Sequence, residues 1–236
     1  MKNLLVIFVF VLPSFFVSAQ KVYRFGAEFG VASSNPIIKL EWQRMSVDAL
    51  GGFYARLVAE RLLVSRLWLS SGLQYTRTGF SQDNTGYSDD VLIDNLGFPI
   101  WARYEVSPEH KKNKFFIQGG FYVNRSFRGI LRSQYFGGVD TEELSFGNTP
   151  RQNFLRGTDF GFGVGLGWHF RFVTLRFHYD FGIRNLAPNG DDANMFKNRI
   201  FTANLGFSIP TKIGKKKMKK EEEKKPEKTS SEEENK

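Results

Sequence analysis

The run Asp159-Phe160-Gly161-Phe162-Gly163-Val164-Gly165-Leu166-Gly167-Trp168 places a large apolar residue at every even position and Gly or Asp at every odd one. Alternation with a period of two describes a β-strand with unlike faces. A strand of a soluble sandwich would carry charged side chains opposite its apolar face, whereas here the opposite face is almost bare backbone. A small barrel with an apolar outside and a tight interior makes that demand, so the strand reads as part of a membrane wall.

Both ends of the chain are set apart by composition. Met1-Lys2-Asn3 is a short basic head, residues 4–16 are apolar apart from Ser14 and contain Pro13, and Val17-Ser18-Ala19 is a small-residue cleavage pattern. Residues 1–19 therefore read as a secretory signal peptide, because the apolar stretch is shorter than the ~20 residues of a spanning helix. After Pro210 the chain turns into a Lys/Glu mixture that cannot bury enough apolar surface to fold, and 212–236 is expected to be a disordered, charged tail. This tail, with ten Lys against seven Glu, supplies a third of the net charge of +9. The modest excess left on the body does not call for nucleic acid, and export separates the chain from RNA and DNA, so nucleic acid is not expected as a partner. The sequence has no cysteine, which excludes disulfides, a thiol nucleophile and a lipidated cysteine. Three scattered histidines, His110, His169 and His178, do not suggest a metal cluster, and no cofactor is expected.

Residues 20–211 divide into eight alternating segments, at 22–32, 53–62, 67–80, 93–106, 114–127, 159–170, 173–183 and 199–209. The links after the second, fourth and sixth are brief. Those after the first, third, fifth and seventh are longer, with 33–52 and 128–158 the longest. Membrane barrels of this kind alternate short turns on the periplasmic side with longer loops outside. The expected fold is all-β: an eight-stranded antiparallel up-and-down transmembrane β-barrel with both mature termini in the periplasm. Aromatics make up 16% of the chain, and those near the strand ends suit interfacial girdles: Tyr23, Tyr104 and Trp168 toward the turns, Phe53, Tyr75 and Phe181 toward the loops. A soluble calyx with the aromatics inside is the alternative, but its solvent face would be Gly, Gln, Asn and Ser, which form strands weakly.

If the apolar parity faces lipid, the lumen receives Arg24, Glu28, Arg56, Glu60, Arg103, Glu105, Asp159, Arg176, His178 and Asp180, with Gln74, Gln118, Asn124, His169 and Asn204. Eight strands enclose only enough room for side chains, so these charges are expected to pair into a structural network that keeps the barrel shut, with a narrow conducting path as the alternative. Arg176, His178 and Asp180 share one face of a strand and offer an acid and a base, but His178 lies mid-strand and inward, and no catalytic residue is assigned. In the loops, Asp140, Glu142 and Glu143, and Asn189-Gly190-Asp191-Asp192, carry calcium-type oxygens without an EF-hand spacing; solvated acids and a turn are the expected roles.

The fragments Phe25-Gly26-x-x-x-Gly30, Ser71-Gly72-Leu73-Gln74-Tyr75-Thr76-Arg77-x-Gly79, Leu96-Gly97-Phe98-Pro99-Ile100-x-Ala102-x-Tyr104, Phe181-Gly182-Ile183-x-Asn185 and Lys197-Asn198-Arg199-x-Phe201-x-Ala203-x-Leu205-Gly206-Phe207 occur in this order across nearly the whole body. Together they resemble the PorT-like outer-membrane β-barrel family. Pro99 is the most specific marker, although a proline in a strand removes a ladder hydrogen bond and opens the sheet locally. The resemblance implies an outer-membrane barrel surrounded by lipid. It also implies, for the founding member, an association with type IX protein secretion, and hence secretion-machinery proteins as partners. The tail lies outside the pattern; it is expected to serve as a contact for a periplasmic or cell-wall partner. The expectation is a non-enzymatic structural or interaction barrel, with a secretion component or a lipid- or peptide-modifying enzyme as the alternatives.

Overall fold

The computed structural model describes residues 21–84, 86–108, 113–149, 152–188, 190 and 193–213. The expected signal peptide and the bulk of the charged tail lie outside them, as do His110, Asn189, Asp191 and Asp192. The described residues contain twelve strands and no helix: β1 (Lys21–Ser34), β2 (Ile37–Leu40), β3 (Gln43–Met45), β4 (Asp48–Val64), β5 (Leu67–Asn84), β6 (Tyr87–Glu105), β7 (Asn113–Tyr135), β8 (Gly138–Glu143), β9 (Thr158–Phe170), β10 (Val173–Gly182), β11 (Met195–Lys197) and β12 (Arg199–Ile213).

Eight of them close a ring, in the order β1-β4-β5-β6-β7-β9-β10-β12 and back to β1. Each is the sequence neighbour of the next ring member, which is the up-and-down arrangement the segments predict. The first and last strands meet at a seam where Gly26 lies against the backbone of Phe207, and Gly30 against Ala203 and Asn204. At one end the turns are tight: Val64 pairs with Leu67 and Phe170 with Val173, and Ser65 and Arg171 take left-handed φ of 32° and 55° to make the reversal.

The parity of the faces follows the alternation. Along β9, Phe160, Phe162, Val164, Leu166 and Trp168 point outward, and Leu166 is 59% exposed, while Asp159, Gly161, Gly163, Gly167 and His169 are buried. The same holds around the ring, where Phe25, Phe29, Leu57, Leu73, Phe98, Ile117, Phe121, Leu205 and Phe207 are all exposed. A band of this extent is far larger than the apolar patches of a soluble monomer, and it suits contact with lipid.

Pro99 lies buried in β6, and the β5–β6 ladder is interrupted there: Ser71 pairs with Ile100 and Gln74 with Gly97, with no partners recorded between. The Ser71 hydroxyl donates to the Pro99 carbonyl at 2.8 Å, so the opened position keeps one of its polar groups satisfied.

The loop end departs from the sequence reading. The link after the third ring strand is not long: β5 and β6 continue to Asn84 and Tyr87, joined through a turn at Gly86. β7 also runs eight residues past its expected end. The cause is a bulge, in which Asp94 pairs with Arg128 but Asn95 pairs with Ser126, leaving Phe127 unpaired. Beyond the bulge the inward parity of β7 shifts from even to odd residues, so the alternation breaks in the sequence while the strand continues. β8 folds back on β7 as a free edge strand, exposed along its whole length, and β11, β2 and β3 form a separate small sheet.

Candidate functional site

The lumen is filled in two tiers. Toward the turn end, register sets Arg24 opposite Glu60 and Glu28 opposite Arg56 on β1 and β4. The shortest bonds, however, cross the lumen. Arg103 on β6 donates to both carboxylate oxygens of Glu60 at 2.8 and 2.9 Å and to Glu105 at 3.1 Å. Arg176 on β10 reaches Glu28 at 3.0 Å and Glu60 at 3.3 Å, and Arg24 reaches Glu105 at 3.3 Å. Glu60 is thus shared by Arg24, Arg103 and Arg176, tying together strands that are not neighbours in the sheet. The Arg103 side chain has no exposed surface.

Aromatic rings complete this tier. The Arg24 guanidinium stands 3.7 Å from the Trp68 ring centre, and that of Arg103 stands 4.6 Å from Phe116. Arg103 Nε and Arg176 Nε and Nη1 find no oxygen acceptor among the described residues, and ring faces stand over both guanidiniums. The space bounded by Glu28, Glu60, Thr174 and Ser208 holds no water-sized void.

The second tier is acidic, and one oxygen each of Asp159 and Asp180 is left without a hydrogen-bond partner among the described residues. Asp159 accepts from Asn198 Nδ2 at 2.8 Å and from the Tyr122 hydroxyl at 3.3 Å. His178 Nε2 lies 3.6 Å from Asp180, and its ring shares a 2.7 Å hydrogen bond with the Thr202 hydroxyl. The rings of Tyr54 and Trp101 stand against the imidazole at 5.6 and 5.5 Å. Hydroxyl, imidazole and carboxylate in this order is the outline of an acyl-transfer triad. Here all three side chains are buried in the lumen, with the two rings against the imidazole.

All ten residues expected in the lumen therefore lie inside the ring, nine of them buried and Arg24 half-buried, and seven of them take part in Arg–Glu ion pairs with one another. Asp159 joins through hydrogen bonds, and Asp180 through His178. Sequence reasoning missed the aromatic share of the lumen: Tyr54, Trp68, Trp101, Phe116 and Tyr122 are all buried at inward parity. The glycines of β9 make room for them. A Cβ on Gly163 would lie 2.5 Å from the Trp101 ring, one on Gly167 2.3 Å from Phe116, and one on Gly161 2.7 Å from the Tyr122 hydroxyl. The parity of Trp101 with Arg103 and Glu105 was the available signal.

Above the lumen sits a second, apolar core that the sequence did not reveal. Phe80, Val91, Ile93, Leu155, Leu186 and Phe196 are buried together, with Ile38, Leu131, Phe146 and Phe154 packed against them. A cavity of about 300 Å³ opens between the small sheet and this core, lined by residues that include Ile38, Met45, Phe80, Phe154 and Phe196 with Lys39 at its wall. Hairpin tips project from the cap. Trp42 is 72% exposed at φ 72°, beside Glu41 at φ 49°, and Phe136 is fully exposed at the β7–β8 turn. A bulky residue held in the left-handed region is a strained presentation. Of the calcium-type acids, Asp140, Glu142 and Glu143 lie on exposed β8, where the Asp140 carboxylate accepts the Thr141 N–H. Among the described residues no three His, Cys, Asp or Glu side chains converge as a metal site requires.

The model of the outer membrane protein beta-barrel domain family matches residues 18–187, well over half of the chain. No curated protein sequence matches it. Among solved structures, Ail, the attachment invasion locus protein of Yersinia pestis, in complex with the heparin analogue sucrose octasulfate, is similar at 11% identity over 81% of this chain and 100% of that one, with a TM-score of 0.41. Neisserial surface protein A is similar at 14% identity over 78% of this chain and 96% of that one, with a TM-score of 0.44. The N-terminal β-barrel domain of Pseudomonas aeruginosa OprF is similar at 9% identity over 77% and 97%, with a TM-score of 0.33.

Proposed function

This chain belongs to the outer membrane protein beta-barrel domain family, and from that premise we propose that it is a non-enzymatic outer-membrane barrel whose lumen is a structural plug and whose loop end is a contact surface. One observation carries the reading: ion pairs and rings fill the interior, while the loops build a packed cap that presents Trp42 and Phe136 to the surroundings. A filled lumen leaves the exposed rims as the working surfaces. In this reading the short turns and both chain ends face the periplasm, the cap faces outward, and 212–236 is a tether for a periplasmic or cell-wall partner.

Single-channel recording of the full chain in planar bilayers tests the plug: closed, non-conducting barrels are expected, and a steady conductance overturns it. A pull-down from detergent-solubilised membranes, with the full chain, a W42A/F136A variant and a chain ending at Pro210, tests the contact surfaces. Retention of the same partners by all three forms would remove both rims from the proposal. The PorT-like resemblance extends to a secretion role; deletion that leaves cargo proteins trapped in the periplasm would support that role, and normal secretion would end it.

A further inference from the structure

The β7 bulge sits where the wall meets the loop end, and it turns two consecutive residues, Phe127 and Arg128, to the outside. Phe127 completes an aromatic chain with Tyr75 and Phe53, whose ring centres are 6.3 Å apart at each step. Arg128 falls in one outward row with Asp94 and Arg77 on three adjacent strands. Within the row, Arg77 donates to both Asp94 oxygens at 2.7 and 2.9 Å, and the Tyr75 hydroxyl donates to Asp94 at 2.7 Å. Asp94 is thereby committed to Arg77 and Tyr75. Two guanidiniums flank one carboxylate, leaving a net positive charge that Arg128 carries on an exposed side chain.

Beside Tyr75, opposite it in register on β4, the wall is dented. Ala55, where the neighbouring outward positions hold large side chains, leaves a notch of about 180 Å³ lined by Phe29, Leu57, Leu73, Tyr75 and Leu96. Along β5 the wall thus passes from the apolar notch at Leu73 and Tyr75, where the aromatic chain crosses, to the arginine row at Arg77. That is the order of an acyl chain, an interfacial region and an anionic headgroup in the leaflet that meets the barrel at this height.

We propose that this stack is a binding site for one anionic, phosphate-bearing lipid, with its phosphate on Arg128 and the outer edge of Arg77 and an acyl segment in the notch beside Ala55. The assignment rests on the membrane placement of the barrel and is independent of the roles proposed for the lumen and the loop cap. The commitment to a lipid, over a free anion, comes from the notch, which a soluble phosphate would leave uncovered.

Native mass spectrometry of the full chain in detergent tests it, using dioleoyl phosphatidic acid, dioleoyl phosphatidylcholine and inorganic phosphate as probes. The expected result is a single phosphatidic acid adduct that survives where the phosphatidylcholine adduct is lost, and no adduct with inorganic phosphate. R128Q should weaken the phosphatidic acid adduct about five-fold, the worth of one basic residue at a membrane surface. A55L, which fills the notch without touching the arginines, should weaken it as well. Both substitutions lie on the exposed face, and an unaltered heat-dependent gel shift confirms the fold. Equal binding of the two lipids, full binding by both variants, or binding of inorganic phosphate alone would each overturn the proposal.

Discussion

The lumen and the loop cap are two cores of opposite polarity built from continuations of the same strands. Inside the wall, β5 and β6 contribute Ser70, Gln74, Arg103 and Glu105; a few residues further on, the same strands contribute Phe80, Val91 and Ile93. The difference is set by what lies on the other side of the sheet. Where lipid takes the apolar side chains, the polar ones are left to pack with one another. Where water surrounds the loops, the ordinary hydrophobic arrangement returns.

The lumen should be the harder of the two to damage without consequence. Replacing Glu60 by Ala leaves Arg103 and Arg176 without their shared carboxylate, which costs about 3–5 kcal/mol for a broken buried pair. The expected outcome is a large drop in the guanidinium midpoint of the barrel in micelles, read from tryptophan fluorescence; an unchanged midpoint would mean that the network is incidental. In the cap, F196A removes a buried ring and costs about 3 kcal/mol. Because the cap is built on the loops, the effect should appear as faster protease cleavage there while the heat-resistant barrel band persists. Loss of both together would show that the two cores are one cooperative unit.

Overpacking provides a finer probe. G163A drives a Cβ toward Trp101 and Asp180 and should cost about 1–3 kcal/mol in the same denaturant assay. G86A, at a turn where nothing stands within 4 Å, meets no steric opposition, and its φ of 92° leaves a smaller backbone strain of about 1 kcal/mol. The smallest effect belongs to W42A, which removes an exposed ring and should move barrel stability by less than about 0.5 kcal/mol. A larger shift would place Trp42 in the packing of the cap.

What could be read from the chain follows this division. A strand with lipid on one side and a tight interior on the other writes its parity plainly, so the eight ring segments and all ten lumen residues were legible from alternation alone. The inward rings were harder. Trp101 and Phe116 look like membrane-facing residues by type, and only their parity with Arg103 and Gln118 says otherwise. The cap was hidden for two physical reasons. Its own strands, β2, β3 and β11, are three or four residues long and show no period. The bulge at Phe127 also shifts the parity of β7, so one continuous strand imitates a strand end followed by a loop.

The seam between β1 and β12 carries a consequence for how the molecule comes into being. Its two halves are the first and last ring strands to be made, so the ring cannot exist as a partial product. A chain stopped before Arg199 would hold β1 and β10 as two open edges, each with a row of unpaired N–H and C=O groups that hydrocarbon cannot solvate. A closed wall must therefore wait for β12. The closing strand acts as the latch that makes the rest of the wall stay in the membrane.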